Sequence, residues 1–404
     1  MNEPLNLPRG LPWESGVNPL TKLLTERQGE GRTILDLTGS NPTRAGFVFP
    51  RDEILSALPS PAALEYHPEP HGLWSARAAV AAYYHECGAP IRPENVQLTV
   101  STSEAYSWLF KLLAGAGDNV LIPQPGYPLF EYLAVLEHTT TKTYRLEYLH
   151  PHGWRVDFDS VLAAIDARTR AIVVVSPGNP TGAFIRPDEL TRLQAIAMER
   201  GLALIVDEVF ADYPVEPDAA ARCLALRKSL LAEEGPLMFT LNGFSKTLAL
   251  PQMKFGWIVA GGEAGPRARA MRGLELIADT YLSLSAPIQL AAPAWMQLRA
   301  RMQEPILRRL HENAGLLTTM LADTPCRLLR CEGGWSAVIE VPRIMSEEAW
   351  TLVLLGEDNV LVHPGYFFDF PREAFLAPSL LTQPAVLSEA VARILHRCAV
   401  PPIS

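Results

Sequence analysis

The chain has 404 residues, with 35 Lys+Arg against 44 Asp+Glu and a formal net charge of −9. That length points to two domains, or to one large domain with a satellite, and the acidic balance argues against nucleic acid or an anionic membrane as the main partner. A composition 48% hydrophobic and 20% charged is that of a globular chain and excludes a disordered one, and no apolar run reaches the roughly 18 residues of a bilayer-spanning helix.

The N-terminal MNEPLNLPRG lacks a basic and then apolar stretch, so no secretory signal is expected. Ten of the 35 prolines fall in the first 70 residues. That stretch cannot be mostly helix, and it reads as an extended arm laid on another surface, or as a frayed tail over residues 1–20. His67 and His71 stand four apart, but Pro68 and Pro70 forbid the helix that would align them, so they read as loop residues and not metal ligands. The five cysteines (Cys87, Cys223, Cys326, Cys331 and Cys398) form no CxxC pair and read as reduced thiols of a cytoplasmic protein.

From residue 73 the pattern alternates. Helices are expected over 73–87, 103–114 and 129–136, and strands over 96–100 and 119–123. The runs AIVVV at 171–175 and LALIV at 202–206 are continuously apolar, as suits strands buried on both faces, and 187–200 has the length of a crossover helix between them. A further strand is expected at 237–241. This is an α/β pattern with a mostly parallel sheet. After residue 285 the texture changes: a long helical stretch over 288–321, short strands near 327–330, 337–341 and 359–362, and helices over 347–355 and 386–398. We expect a large domain over 46–284, with 1–45 and 285–404 forming a smaller α+β domain.

Three motifs stand out: Asn179-Pro180-Thr181-Gly182 after the first apolar strand, Asp207-Glu208 at the end of the second, and Ser245-Lys246 after the third, followed by Pro251 and Gly256-Trp257. In an open parallel sheet, ligands bind beyond the C-terminal ends of strands. Ser101-Thr102-Ser103-Glu104 opens a helix after a strand, which is either a plain N-cap or an anion site. No GxGxxG follows an early strand, which disfavours a dinucleotide enzyme.

In this order and spacing the motifs resemble the fold-type I pyridoxal phosphate (PLP) enzymes, and more narrowly the class I/II aminotransferases, over nearly the whole chain from Leu37-Thr38-Gly39 onwards. The resemblance implies a PLP-dependent aminotransferase that passes an amino group from an amino donor to a keto acid by a ping-pong route. Lys246 would bond the cofactor aldehyde and shuttle the Cα proton, for which its pKa must fall. Asp207 would pair with the pyridinium nitrogen. Asn179 would donate to the ring oxygen and meet substrate, Tyr127 would stack on the ring, and Ser101, Thr102, Ser103, Ser245 and Lys254 would serve the phosphate. Tyr66, with Gly72 and Arg77, matches a segment that reaches the partner subunit's phosphate, which implies a homodimer with shared sites. The Gly39-Ser40 backbone would help meet the substrate carboxylate. Taken singly, each of these has an ordinary structural reading: a surface lysine, a strand-end cap, an Asn-Pro turn, a core aromatic.

Two departures weaken the match. The family's tyrosine three residues after the aspartate is Phe210, which has no donor, so the cofactor–lysine linkage should hold its proton more tightly. The arginine that clamps the substrate carboxylate is Ala377, with Arg44 and Arg372 as the obvious substitutes. Lys254 also replaces a usual arginine and supplies charge without a bidentate fork. These changes leave two alternatives: another fold-type I activity, such as a β-lyase or decarboxylase, or a PLP-binding protein with a degenerate site.

Overall fold

The computed structural model describes residues 16, 18–229 and 234–399. Its centre is an eight-stranded sheet of β1 (Val96–Thr99), β2 (Asn119–Gln124), β3 (Thr140–Leu149), β4 (Gly153–Val156), β5 (Thr169–Val175), β6 (Ala203–Asp207), β7 (Met238–Gly243) and β8 (Gly256–Gly261), in the spatial order β1-β8-β7-β6-β5-β2-β3-β4. Strands β7, β6, β5, β2 and β3 run parallel, β8 lies antiparallel between β7 and β1, and β4 folds back on β3 as an edge hairpin.

The continuous apolar runs do what two-sided burial requires. Leu121, Ile172, Val174, Leu204 and Val206 pack on one face of the sheet, under the helices Trp74–Glu86, Pro187–Arg200 and Ala286–Gln297. Their neighbours Val120, Ile122, Ala171, Val173 and Ile205 pack on the other, under Thr102–Leu113 and Ala264–Tyr281. Alternate residues of one strand therefore feed two cores, which is why the sequence shows no polar alternation there. The crossover helix Pro187–Arg200 begins with proline where no N–H is needed and ends at Gly201 in the left-handed region. Its Glu189 carboxylate accepts from the Arg186 N–H (3.0 Å) and from Val156 N–H of β4 (2.9 Å), which ties the hairpin to the helix.

A second apolar cluster lies at the C-terminal side of the chain and gathers Ile306, Leu310 and Leu317 of the helix Arg299–Leu321, Trp350 and Leu354 of Glu347–Asp358, and Leu387, Val391 and Ile394 of Pro384–Ala399. These helices cover a four-stranded antiparallel sheet in the order Arg327–Leu328, Ile339–Glu340, Phe375–Ala377, His363–Pro364. Leu35–Asp36 joins this part by pairing in parallel with Val360–Leu361, and Leu37 enters the same core. Phe210 and Tyr213, from the loop after β6, also sit in this cluster, so the two cores meet beside Asp207.

Several elements differ from expectation. The expected helical stretch over 288–321 is two helices, Ala286–Gln297 and Arg299–Leu321. Between them the Leu298 N–H bonds to the Trp295 carbonyl (2.9 Å), a tightened turn that redirects the chain. The first of them, with Ala291, Ala292 and Trp295, packs into the large sheet's core. A helix at Pro19–Gly29 was not anticipated from the proline-rich start. Proline occupies its first position, and the Asn18 side chain accepts from the Leu20 N–H (2.8 Å). Residues 1–15 and 17 of the expected arm lie outside the described residues. Strands β3, β4 and β8 had no clear sequence signal. His67 and His71 lie in a loop, and His71 Nδ1 shares a hydrogen bond with Gln97 Oε1 (2.6 Å).

Candidate active site

Strands β1, β5, β6 and β7 all end at one edge of the sheet, and register sets Val175 opposite Asp207 and Asp207 opposite Leu241. The three sequence motifs therefore converge by topology alone. Beyond them lies a cavity of about 220 Å³ lined by Thr102, Ser103, Tyr127, Asn179, Asp207, Ser245 and Lys246, among others. Of the expected site residues, the structure brings these together.

Lys246 stands in the single turn Phe244–Thr247 that follows β7. The Phe244 N–H bonds to the Phe255 carbonyl (2.8 Å), and the Tyr213 hydroxyl donates to the Lys246 carbonyl (2.6 Å), so the backbone that carries the amine is held from two sides. Its Nζ lies 4.4 Å from the Trp335 ring centre and 5.0 Å from that of Phe210. Burial lowers the ammonium pKa to about 8, opposed by the Asp207 carboxylate. A lysine so placed has a usable free-base population near neutrality.

Asp207 ends β6 and is buried. Its Oδ1 accepts from the Val209 N–H (3.0 Å) and its Oδ2 from the Tyr106 hydroxyl (3.0 Å). Burial raises its pKa to about 6, against the pull of these donors and of Lys246. Acid and base thus carry opposed shifts beside one cavity, a pattern concentrated at functional sites.

Asn179 sits in a turn closed by Gly182 N–H to Gly178 C=O (2.8 Å). Gly182 has φ +68, and a Cβ there would stand 2.7 Å from Cys331 Sγ and from the Gly333 carbonyl. Only glycine lets this loop lie against the segment that carries Trp335 and Ser336. Gly256 of β8 plays a similar part, since a Cβ would meet Ser101 C at 3.0 Å where the helix Thr102–Leu113 begins. The Ser101 hydroxyl caps that helix by accepting from the Glu104 N–H (3.2 Å), while Thr102 and Ser103 line the cavity at its N-terminus.

Other expected residues stand elsewhere. Lys254 is exposed, has φ +52 and is outside the cavity lining. Tyr66 is 82% exposed on a separate surface hollow with Leu73, Trp108 and Leu282. Gly39 lies beside the lining residue Ser40. Ala377 is buried and pairs with His363, Arg44 is exposed, and Arg372 bonds to Glu340 (2.5 Å) and lies over the Phe375 ring. Sequence reasoning missed Tyr106, Trp335 and Ser336, and it gave Ser40 only a backbone part beside Gly39. Tyr106 left one clue, a phenol on the apolar face of a helix, whose hydroxyl needs a partner when buried.

Residues 41–394 match the family model described as aminotransferase class I and II. The chain belongs to this family. The class I/II aminotransferase fold is matched by an aminotransferase from Escherichia coli, with TM-score 0.81 and 25% identity over 95% of each chain. It is also matched by the Pyrococcus furiosus alanine aminotransferase, with TM-score 0.82 and 22% identity over 94% of this chain and 96% of that one. In sequence the chain is 26% identical to the glutamate-pyruvate aminotransferase AlaA of Haemophilus influenzae, over 93% of both. It is 29% identical to the alanine aminotransferase of Mycobacterium bovis, over 93% of this chain and 88% of the relative. The protein is a PLP-dependent aminotransferase. Its residues suit that cofactor: an amine of lowered pKa for the aldehyde, a buried carboxylate for the ring nitrogen, and hydroxyls at a helix N-terminus for the phosphate.

Proposed function

We propose that this aminotransferase exchanges amino groups between small amino acids, alanine and glutamate first, and the matching 2-oxo acids, as a cytoplasmic homodimer in amino-acid biosynthesis. One observation supports the site assignment above the others: Lys246 and Asp207 line one cavity with pKa values driven towards each other, to about 8 and about 6. The named donors and acceptors of the relatives support small substrates.

When bound, the cofactor supplies an aldehyde carbon that takes the amino group and a ring that accepts the electron pair released at the substrate Cα. The residues do the rest. Lys246 Nζ would take the Cα proton and release it, on the same face, at the carbon that received the amino group. Asp207 holds the ring nitrogen's proton, Asn179 donates to the ring oxygen and faces substrate, and Tyr127 covers the ring. Thr102, Ser103 and Ser245 hold the phosphate, with Ser101 fixing the helix start and Lys254 adding positive charge from outside the cavity. Gly39 belongs to the substrate loop beside Ser40. The large domain, over 46–284 with the helix Ala286–Gln297 packed into its core, supplies the cofactor cradle, and the small domain forms the wall opposite.

The dimer reading rests on surface chemistry. Val48, Leu64, Tyr66 and Leu276 are at least 72% exposed, apolar surface of the kind that a partner covers. Tyr66 would then reach the partner subunit's cofactor phosphate. Sedimentation of the wild type and of Tyr66→Phe, with cofactor affinity measured on each, tests both points.

The function itself is tested on the cofactor-loaded enzyme. Alanine or glutamate should bleach the visible band without releasing ammonia or carbon dioxide, pyruvate or 2-oxoglutarate should restore it, and Lys246→Ala should do neither. Ammonia or carbon dioxide as the main product would select a β-lyase or a decarboxylase instead.

A further inference from the structure

We infer that this enzyme grips the group beside the substrate's reacting carbon with the neutral hydroxyls of Ser40 and Ser336, and not with a guanidinium. The inference rests on the aminotransferase reading of the Lys246 cavity.

The strand Phe375–Ala377 leads into Pro378 and Ser379, and Ser379 is the knot of the far wall. Its N–H bonds to the Leu37 carbonyl (2.7 Å), its Oγ donates to the Gly39 carbonyl (2.7 Å), and it forms an isolated antiparallel bridge with Ser336. On either side of it, Ala337 N–H bonds to Pro378 C=O (3.0 Å) and Leu380 N–H to Trp335 C=O (2.7 Å). One residue, two places beyond Ala377, thus draws together the loop that ends in Ser40 and the loop that carries Trp335-Ser336. Ser40, Trp335 and Ser336 line the same cavity as Lys246.

Two of the positive charges near this wall are already engaged, and a third, Arg44, is exposed and outside the cavity lining. Arg372 bonds to Glu340 and stacks over Phe375, and Arg309 donates to the Leu381 carbonyl (3.1 Å) and lies over Phe47. Among the described residues that line the cavity, Lys246 is the one cation, and the amino exchange uses it. The wall around it is aromatic, with Trp335 edge-on to Phe210 at 5.4 Å. Hydroxyls on such a wall donate to a carboxylate, but they also serve a carboxamide or ester carbonyl. A guanidinium fork tells these apart by charge, whereas a hydroxyl pair tells them apart weakly. The substrate class therefore widens from amino acids to their uncharged α-carbonyl derivatives.

The test uses the cofactor-loaded enzyme and matched donors, alanine against alaninamide and glutamate against its α-amide, followed by bleaching of the visible band. We expect each acid and its amide to differ by no more than about tenfold in kcat/KM, the scale of a neutral hydrogen bond. Ser336→Ala and Ser40→Ala should each raise KM for both members of a pair by roughly three- to tenfold, with kcat changing less. Ser40 is exposed, so its truncation leaves the fold intact if Ser336→Ala fails to fold. Acids favoured over amides by about a hundredfold or more, as a charged clamp requires, would overturn the inference and leave the aminotransferase reading standing. So would unchanged KM values in both variants. No response to either member of any pair overturns both.

Discussion

The Tyr106 hydroxyl donates to Asp207 Oδ2 at 3.0 Å, and both residues are buried at the end of β6. The carboxylate that would serve the cofactor's ring nitrogen therefore comes with a phenol of its own. Tyr106 sits in the helix Thr102–Leu113, edge-on to Phe130 with ring centres 5.1 Å apart, so its ring is fixed independently of the hydroxyl.

Removing that oxygen alone isolates its effect. A hydrogen bond to the charged form favours it, so Tyr106→Phe should raise the Asp207 pKa above its present value of about 6. The shift should be about one pH unit, the size expected of one charge-assisted bond partly replaced by its surroundings. It should be seen as an acid limb of kcat/KM displaced to higher pH, and as the same displacement in the pH dependence of cofactor affinity. An unmoved limb in a folded variant counts against the role given to this bond.

Before cofactor is added, the pair Asp207 and Lys246 makes stability depend on pH in a particular way. Asp207 has its folded pKa raised to about 6, above its unfolded value. Its contribution is full below the unfolded value and declines as pH rises to about 6, by about 3 kcal/mol. Lys246 has its folded pKa lowered to about 8, below its unfolded value. There the unfolded chain binds more protons, so stability recovers as pH climbs from about 8 towards 10.5, again by about 3 kcal/mol. The apoprotein should thus show a trough between about pH 6 and 8, where both buried groups are charged. Melting curves of wild type and Lys246→Met should converge above about pH 10, with the variant more stable below. Parallel curves at all pH values would contradict the lysine assignment.

Next to Asp207 lies a second buried charge, handled differently. Glu208 accepts from Arg227 Nε (2.9 Å), Tyr84 (2.7 Å) and Asn242 (3.2 Å), and Arg227 also reaches Asp212 (3.1 Å). Removing one partner of such a buried pair strands the other. Arg227→Met should destabilise by about 3–5 kcal/mol in denaturant unfolding. The double variant with Glu208→Gln should lose clearly less than the sum of the two single losses. Additive losses would mean that the pair is not energetically coupled.

How much of this was legible in the sequence follows from what kind of signal each part leaves. Strands β5 and β6 announced themselves because burial on both faces removes polar residues, and Asp207 at the end of β6 and Asn179 in the turn after β5 stood out against those runs. Lys246 was legible through its family motif. Strand β8 was not, since Gly256-Trp257 reads as a motif before it reads as a strand. The Ser379 knot was invisible because its partners, Leu37, Gly39 and Ser336, are distant in sequence and joined only by backbone hydrogen bonds and one hydroxyl. Trp335 after Gly333-Gly334 gave no signal of lying 4.4 Å from the Lys246 amine.

Phe210 offers the last test, because it lines the cavity yet lacks the hydroxyl its family position usually supplies. Its ring stands edge-on to Trp335 at 5.4 Å, and the next turn of chain is fixed by Tyr213, whose hydroxyl bonds to the Lys246 carbonyl. With Phe210 in place, the ring oxygen of bound cofactor has Asn179 as its one assigned donor. A second donor stabilises the deprotonated form of the cofactor–lysine linkage. Phe210→Tyr should therefore move the pH midpoint of the visible band downwards, by about one unit on the scale of a single hydrogen bond to a charged group. The measurement is an absorbance titration of the loaded enzyme, with the melting temperature as a control for packing. A midpoint that stays put or rises, in a variant as stable as the wild type, means that position 210 does not face the ring oxygen in this enzyme.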